Sequence, residues 1–136
     1  MNILLILIIA TSTTSTSSSA PAFTTASTTF PNGNGPYRWN STAKTVAGVG
    51  VVAGTAANLL TFPCGIVIDS WSSLYIADSG SHRVQRWLLD SASGSTVAGQ
   101  SNGVVGAGAN YLSTPNDIAV DANGNVYVVD TYNHRV

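Results

Sequence analysis

The chain has 136 residues, room for one small domain. Five Lys and Arg stand against six acidic residues, and charged residues make up only 8% of the chain, which excludes a basic face of the kind that holds nucleic acid. All six acids are Asp, a residue of turns and caps rather than helix interiors. Thirteen glycines with many Val, Ile, Thr and Tyr point to short strands joined by tight turns.

Residues 3–10 (ILLILIIA) form an apolar run of eight. A bilayer takes about 20 apolar residues to cross, so no stable membrane span is expected. The run instead matches the apolar region of a secretory signal peptide, although the usual basic residue before it is missing. Ala20-Pro21-Ala22 is a small-x-small site, which sets the expected signal peptide at 1–22 and the protein in the secreted or extracellular-surface compartment. From Thr11 to Phe30, 14 of 20 residues are Ser or Thr. Such a stretch cannot bury a core and reads as a disordered linker or an O-glycosylated stalk. The linker, 23–36, ends in the turn-rich Pro31–Pro36, and the folded region is expected over 37–136. Asn40-Ser41-Thr42 is an N-glycosylation acceptor.

Within the folded region a segment occurs twice. Residues 63–84 (PCGIVIDSWSSLYIADSGSHRV) align without a gap to 115–136 (PNDIAVDANGNVYVVDTYNHRV) at an offset of 52, with eight of 22 positions identical. Upstream, Thr45-Val46-Ala47-Gly48 recurs as Thr96-Val97-Ala98-Gly99, and Asn58 and Leu60 recur as Asn110 and Leu112. A fixed period of this size marks a repeat architecture. Each unit reads as four short strands. Residues 65–69 (GIVID) are a short apolar strand, and Asp69 and Asp121 cap the turn that follows. In the second copy that turn contains Asn-Gly, a strong hairpin signal because both residues tolerate positive φ. Residues 74–77 (LYIA) form the second strand, 78–82 the next turn, 83–88 (RVQRWL) the third strand and 96–98 the fourth. Four antiparallel strands in about 40–50 residues make a β-propeller blade. The glycine-containing stretch Gly103–Gly108 reads as a flexible connection between blades. Cys64, alone and matched by Asn116 in the second copy, reads as a buried small apolar residue.

The pattern P-x-G-I-x-x-D, then L-Y-I-A-D, then x-x-x-H-R-V-Q resembles the NHL repeat, with Trp39 and Trp87 before TVAG as in secreted invertebrate NHL-repeat proteins. The resemblance covers 63–99 and continues over 115–136. It implies an all-β fold, a partial propeller of about one and a half blades, with Thr45–Ala47 in the place of a ring-closing outer strand. One complete blade and half of another leave strand edges and apolar faces bare, so the chain is expected to be a fragment, or to need the missing blades or self-association to close the ring.

Asp78-x-x-x-His82-Arg83 and Asp130-x-x-x-His134-Arg135 have the residue types of a metal or acid–base site. They recur once per repeat, as do Asp69 and Asp121, and a residue present in every unit builds the unit. Asp is expected to accept hydrogen bonds from turn amides, Arg to stay near the Asp, and His to fill the turn. No catalytic, cofactor-binding or metal-ligating set is assigned. Ligand contacts belong where the copies differ: Trp71 stands opposite Asn123, and Tyr132 opposite Gly80. Exposed aromatics on loops serve as binding anchors, with packing against a neighbouring blade as the alternative. The expected function is a non-enzymatic extracellular binding or scaffold module with a protein or glycan ligand and no nucleic acid partner. The alternatives are a piece of an extracellular propeller enzyme of the amidating-lyase or lactonase type, and the NHL module of a ubiquitin-ligase-like protein. The latter lacks support in zinc-ligand Cys/His pairs.

Overall fold

The computed structural model describes residues 44–136. The expected signal peptide, the Ser/Thr-rich linker and Asn40 lie outside the described residues.

Six strands form two antiparallel sheets: β1 (Pro63–Ile68), β2 (Leu74–Asp78), β3 (Arg83–Trp87) and β4 (Ser95–Gly99) in the order β1-β2-β3-β4, and β5 (Pro115–Val120) with β6 (Val126–Asp130). The fold is all-β, a partial propeller with a four-stranded blade 1 and a two-stranded blade 2. Each inner hairpin is closed by a carboxylate. Asp69 Oδ1 accepts from the amides of Trp71 (2.9 Å) and Ser73 (2.7 Å), and Asp121 Oδ1 accepts from those of Asn123 (2.9 Å) and Asn125 (2.8 Å). The Asn-Gly turn uses one left-handed residue rather than two: Gly124 has φ 85°, matched by Ser72 at φ 63° in blade 1. The Gly124 amide closes on the Asp121 carbonyl at 3.0 Å, so this is a turn followed by a single positive-φ residue.

Pleating sorts blade 1 into two faces. Tyr75 and Ala77 of β2 and Val84 of β3 point to one side, where they pack with Leu112, Ile118 and Val128 of the second repeat, and Val67, Ala98, Val120 and Val126 flank this core. The core is therefore the seam between the two blades. β1 lies against β5 so closely that a Cβ on Gly65 would sit 2.7 Å from Asp117 Cα.

Three expectations need correction. Thr45–Ala47 forms no strand; the nearest pairing is an isolated bridge between Val49 and Val52. The second TVAG pairs with Arg83, Val84 and Gln85 of its own blade, and among the described residues the first has no such neighbour. Cys64 is exposed rather than buried; it lies where the register of β1 shifts, between Pro63 and Ile66. The 103–108 connection is pinned rather than loose: the carbonyls of Gly106, Ala107 and Gly108 accept from Asn133 and Arg135 at 2.8–3.0 Å.

Candidate functional site

At the end of β2 the chain passes through a 3₁₀ turn, Ser79–Ser81, and at the end of β6 through another, Thr131–Asn133. Each is followed by a left-handed histidine, His82 at φ 51° and His134 at φ 55°. This backbone swings the following Arg back beside the Asp that precedes the turn. Arg83 Nε donates to Asp78 Oδ2 at 2.9 Å, and Arg135 Nε donates to Asp130 Oδ2 at 2.8 Å.

The rest of each guanidinium is spent on carbonyls from the segment before its blade. Arg83 donates to Thr55 (2.5 Å), Ala56 (3.1 Å) and Leu59 (3.0 Å), and also to Ser101 (2.8 Å). Arg135 donates to Ala107 (2.9 Å), Gly108 (3.0 Å) and Tyr111 (2.7 Å). Thr55, Ala56 and Leu59 stand 52 residues before Ala107, Gly108 and Tyr111, so the network repeats acceptor by acceptor. The second Asp oxygen works the same way: Asp78 Oδ1 accepts from the Thr61 amide at 2.5 Å, and Asp130 Oδ1 from that of Ser113 at 2.6 Å. The Asp does not cap its own turn. It and the Arg hold the lead-in segment of the blade.

The electrostatics follow from depth. Burial pushes the Asp78 carboxyl above its usual range, against the pull of the Thr61 amide and Arg83. Burial acts in the same direction on Asp130, but there the bonds from Ser113, Asn133 and Arg135 prevail and the carboxyl lies below its usual range. The Arg83 guanidinium, held by Asp78 and four carbonyls, has no donor left for a substrate, and both carboxylate oxygens of Asp78 and of Asp130 are taken. Among the described residues, no three His, Cys, Asp or Glu side chains gather as metal ligands do.

His82 has a further role. Its Nδ1 accepts from the Thr114 amide at 3.1 Å, and Ser79 Oγ donates to the Pro115 carbonyl. The turn of blade 1 thus grips the Thr114-Pro115 lead-in of blade 2. Sequence reasoning missed this link, because the partners of His82 Nδ1 and Ser79 Oγ are main-chain groups of blade 2 with no residue signature.

Trp71 and Tyr132 are both exposed, but they are not brought together. Trp71 sits on the β1–β2 turn, whereas Tyr132 sits on the turn after β6, at the opposite end of the strands. The Trp71 ring leans on the neighbouring hairpin, 3.7 Å from where a Cβ on Gly124 would be. The loop after β3, at the same end as Trp71, exposes Leu88 and Leu89. Among the described residues, no helix is long and apolar enough to cross a membrane.

No curated protein matches the chain. The NHL repeat family model matches residues 112–136, which are blade 2 with the last part of its lead-in, and this match supports the NHL-repeat family.

Proposed function

We propose that the chain is a non-enzymatic extracellular module that binds a protein or glycan ligand, using stacked blades as a rigid support. NHL repeats point to a protein-interaction propeller. One observation carries the reading: Asp78, Arg83 and Asp130 are held in intramolecular hydrogen bonds, while Trp71, Leu88 and Leu89 stay exposed at one end of blade 1. Apolar anchors on a rigid rim are what a binding surface uses. The leader at 1–22, the Ser/Thr-rich linker and the Asn40 acceptor support an extracellular setting. Further blades, or association of copies, complete the ring.

The test is expression of the full chain in eukaryotic cells. The secreted product is then presented to a glycan array and to cell-surface protein extracts, beside Trp71→Ala. Release into the medium, glycosylation at Asn40 and loss of binding in Trp71→Ala are expected. Retention inside the cell, or binding that Trp71→Ala leaves unchanged, overturns the reading.

A further inference from the structure

The link between the blades runs through one titratable side chain. His82 follows the Ser79–Ser81 turn with its backbone in the left-handed region, at φ 51°. Its Nδ1 accepts from the Thr114 amide at 3.1 Å. A neutral imidazole has one N–H and one acceptor nitrogen, so a bond in this direction places the ring hydrogen on Nε2. A protonated ring carries hydrogen on both nitrogens and accepts from neither side. The bond from Thr114 therefore exists only while His82 is neutral. Histidine ordinarily changes charge between about pH 5 and 8, and the half-buried His82 is open enough for a proton to reach it from water.

The groups around the ring are already engaged. The Gly80 amide donates to the Thr61 carbonyl, a Cβ on Gly99 would lie 2.5 Å from the His82 carbonyl oxygen, and one on Gly103 3.2 Å from that of Ser81. The segments packed on this turn thus come from residues 45–62 and 95–115, which contain no Asp, Glu, Lys, Arg or His; Tyr111 is their one titratable residue. β1 adds the Cys64 thiol. On the same blade, Asp78 and Arg83 are spent on each other and on main-chain groups. Across the seam, Asp117 Oδ1 accepts from the Ile118 amide and faces Gly65, Asp130 has both oxygens taken, Arg135 pairs with it, and His134 is exposed. A second proton on His82 removes the Thr114 bond and sets two hydrogens against each other, with no ion pair formed in exchange.

We propose that His82 is a pH-sensitive latch between the blades. Neutral, it holds the Thr114 amide and with it the start of β5; protonated, it lets that amide go. Ser79 Oγ keeps the Pro115 carbonyl and the apolar seam remains, so acid loosens the lead-in of blade 2 without parting the blades. The stability from this bond is complete above the histidine range and is lost as pH falls through it. That window is separate from the one in which Asp69, Asp121 and Asp130 take up protons, since their carboxyls lie below 3.8.

The inference concerns the joint between the blades and does not depend on the ligand of the Trp71 rim. It is tested on the isotope-labelled full chain by two NMR measurements across the histidine range. One is the tautomer and titration of each histidine ring. The other is protection from hydrogen exchange at the Thr114 amide, relative to the unstructured rate at each pH. At the alkaline end the His82 hydrogen is expected on Nε2. Towards the acid end Thr114 protection falls about tenfold, the scale of one lost hydrogen bond, with the same midpoint as the His82 ring. His134→Gly, which removes the chain's other histidine, leaves that fall unchanged. His82→Gly, which keeps the left-handed backbone, shows the low protection at both ends of the range. Should that variant fail to fold, the tautomer and the shared midpoint in the unaltered chain still decide. A hydrogen on Nδ1 at the alkaline end overturns the proposal. So does Thr114 protection that stays constant across the range, or that follows the titration of His134 instead.

Discussion

Arg83 and Asp78 form an ion pair withdrawn from water on both sides, with side chains 1% and 0% exposed. The equivalent pair, Arg135 and Asp130, makes the same Nε–Oδ2 contact, at 2.8 Å against 2.9 Å, but with an arginine side chain that is 37% exposed. Identical chemistry at two depths separates the cost of desolvation from the pairing itself. Removing one partner of a buried pair costs about 3–5 kcal/mol because the other charge is stranded, whereas an exposed partner can be replaced by water. Arg83→Ala is therefore expected to unfold the blade or lower its stability by that amount, and Arg135→Ala to cost about 1–2 kcal/mol, mostly from its carbonyl contacts. Arg83→Lys should fail to rescue, since an ammonium cannot serve an Asp and four carbonyls fanned around a planar fork. Urea denaturation of the three variants checks the order.

Acid should destabilise the blades through their hairpin carboxylates. Hydrogen bonds from Asn125, Asn123 and Tyr127 hold Asp121 below its ordinary value of 3.8. At Asp69 burial pushes upward, but bonds from Ser73 and Trp71 outweigh it and the net shift is downward; Asp130 is lowered likewise. A lowered folded value means that the unfolded chain binds more protons, so this stability is complete above the ordinary value and is lost as pH falls through the folded one. Asp78, raised by burial, acts oppositely: its contribution is present below the ordinary value and fades as pH rises through the folded one. With three groups against one, the melting temperature should fall on acidification below the ordinary value. Asp121→Asn keeps an acceptor for the turn amides but cannot titrate, and should flatten that fall. A pH series of thermal melts showing equal slopes for both proteins would count against the assignment.

The repeat, the strand order and the turn-closing role of Asp69 and Asp121 are legible in the sequence because they are local: a two-residue alternation, and a side chain bonding amides two and four residues on. The partners of Arg83 are not legible in the same way. They are carbonyls 24–28 residues upstream and one 18 residues downstream, and a carbonyl leaves no trace in residue identity. The recurrence of Asn58 and Leu60 as Asn110 and Leu112 did mark that segment as part of the unit, without saying what holds it. Cys64 shows a second limit. Residue type alone marks a lone cysteine as a small apolar group and does not say how it sits at the register shift between Pro63 and Ile66, which recurs between Pro115 and Asp117. Tyr132 and Trp71 were legible as positions where the copies differ, but their placement at opposite ends of the strands follows only from the antiparallel order.

Cys64 should react as an accessible thiol in native, dilute protein. It is exposed, and its Sγ has only a 3.6 Å contact with the Phe62 carbonyl. Labelling by a thiol-specific chromogenic reagent is expected to proceed at the same rate with and without denaturant, within a few fold, and Cys64→Ser should leave the melting temperature unchanged. A reaction that waits for unfolding would show instead that the residue is covered.

Gly65 and Gly124 should respond differently to the same replacement, because each is glycine for a different reason. A Cβ on Gly65 would lie 2.7 Å from Asp117 Cα and 2.8 Å from the Asn116 carbonyl oxygen, main-chain atoms that can yield only if the blades separate. Gly124 has open space and only the nearby Trp71 ring, but its φ is 85°. Asn tolerates the left-handed region better than other side chains, so Gly124→Asn should cost about 1 kcal/mol or less. Gly65→Asn gains nothing from that tolerance and meets the neighbouring strand, at a cost of about 1–3 kcal/mol or more from overpacking. Chemical denaturation at neutral pH gives both values. Because Gly65 lies in the seam, its variant should also speed hydrogen exchange at the amides of β5, whereas Gly124→Asn should speed exchange only within residues 121–126. Equal losses from the two variants, or unchanged exchange at β5 in Gly65→Asn, would show that the seam between blades does not depend on close approach at this glycine.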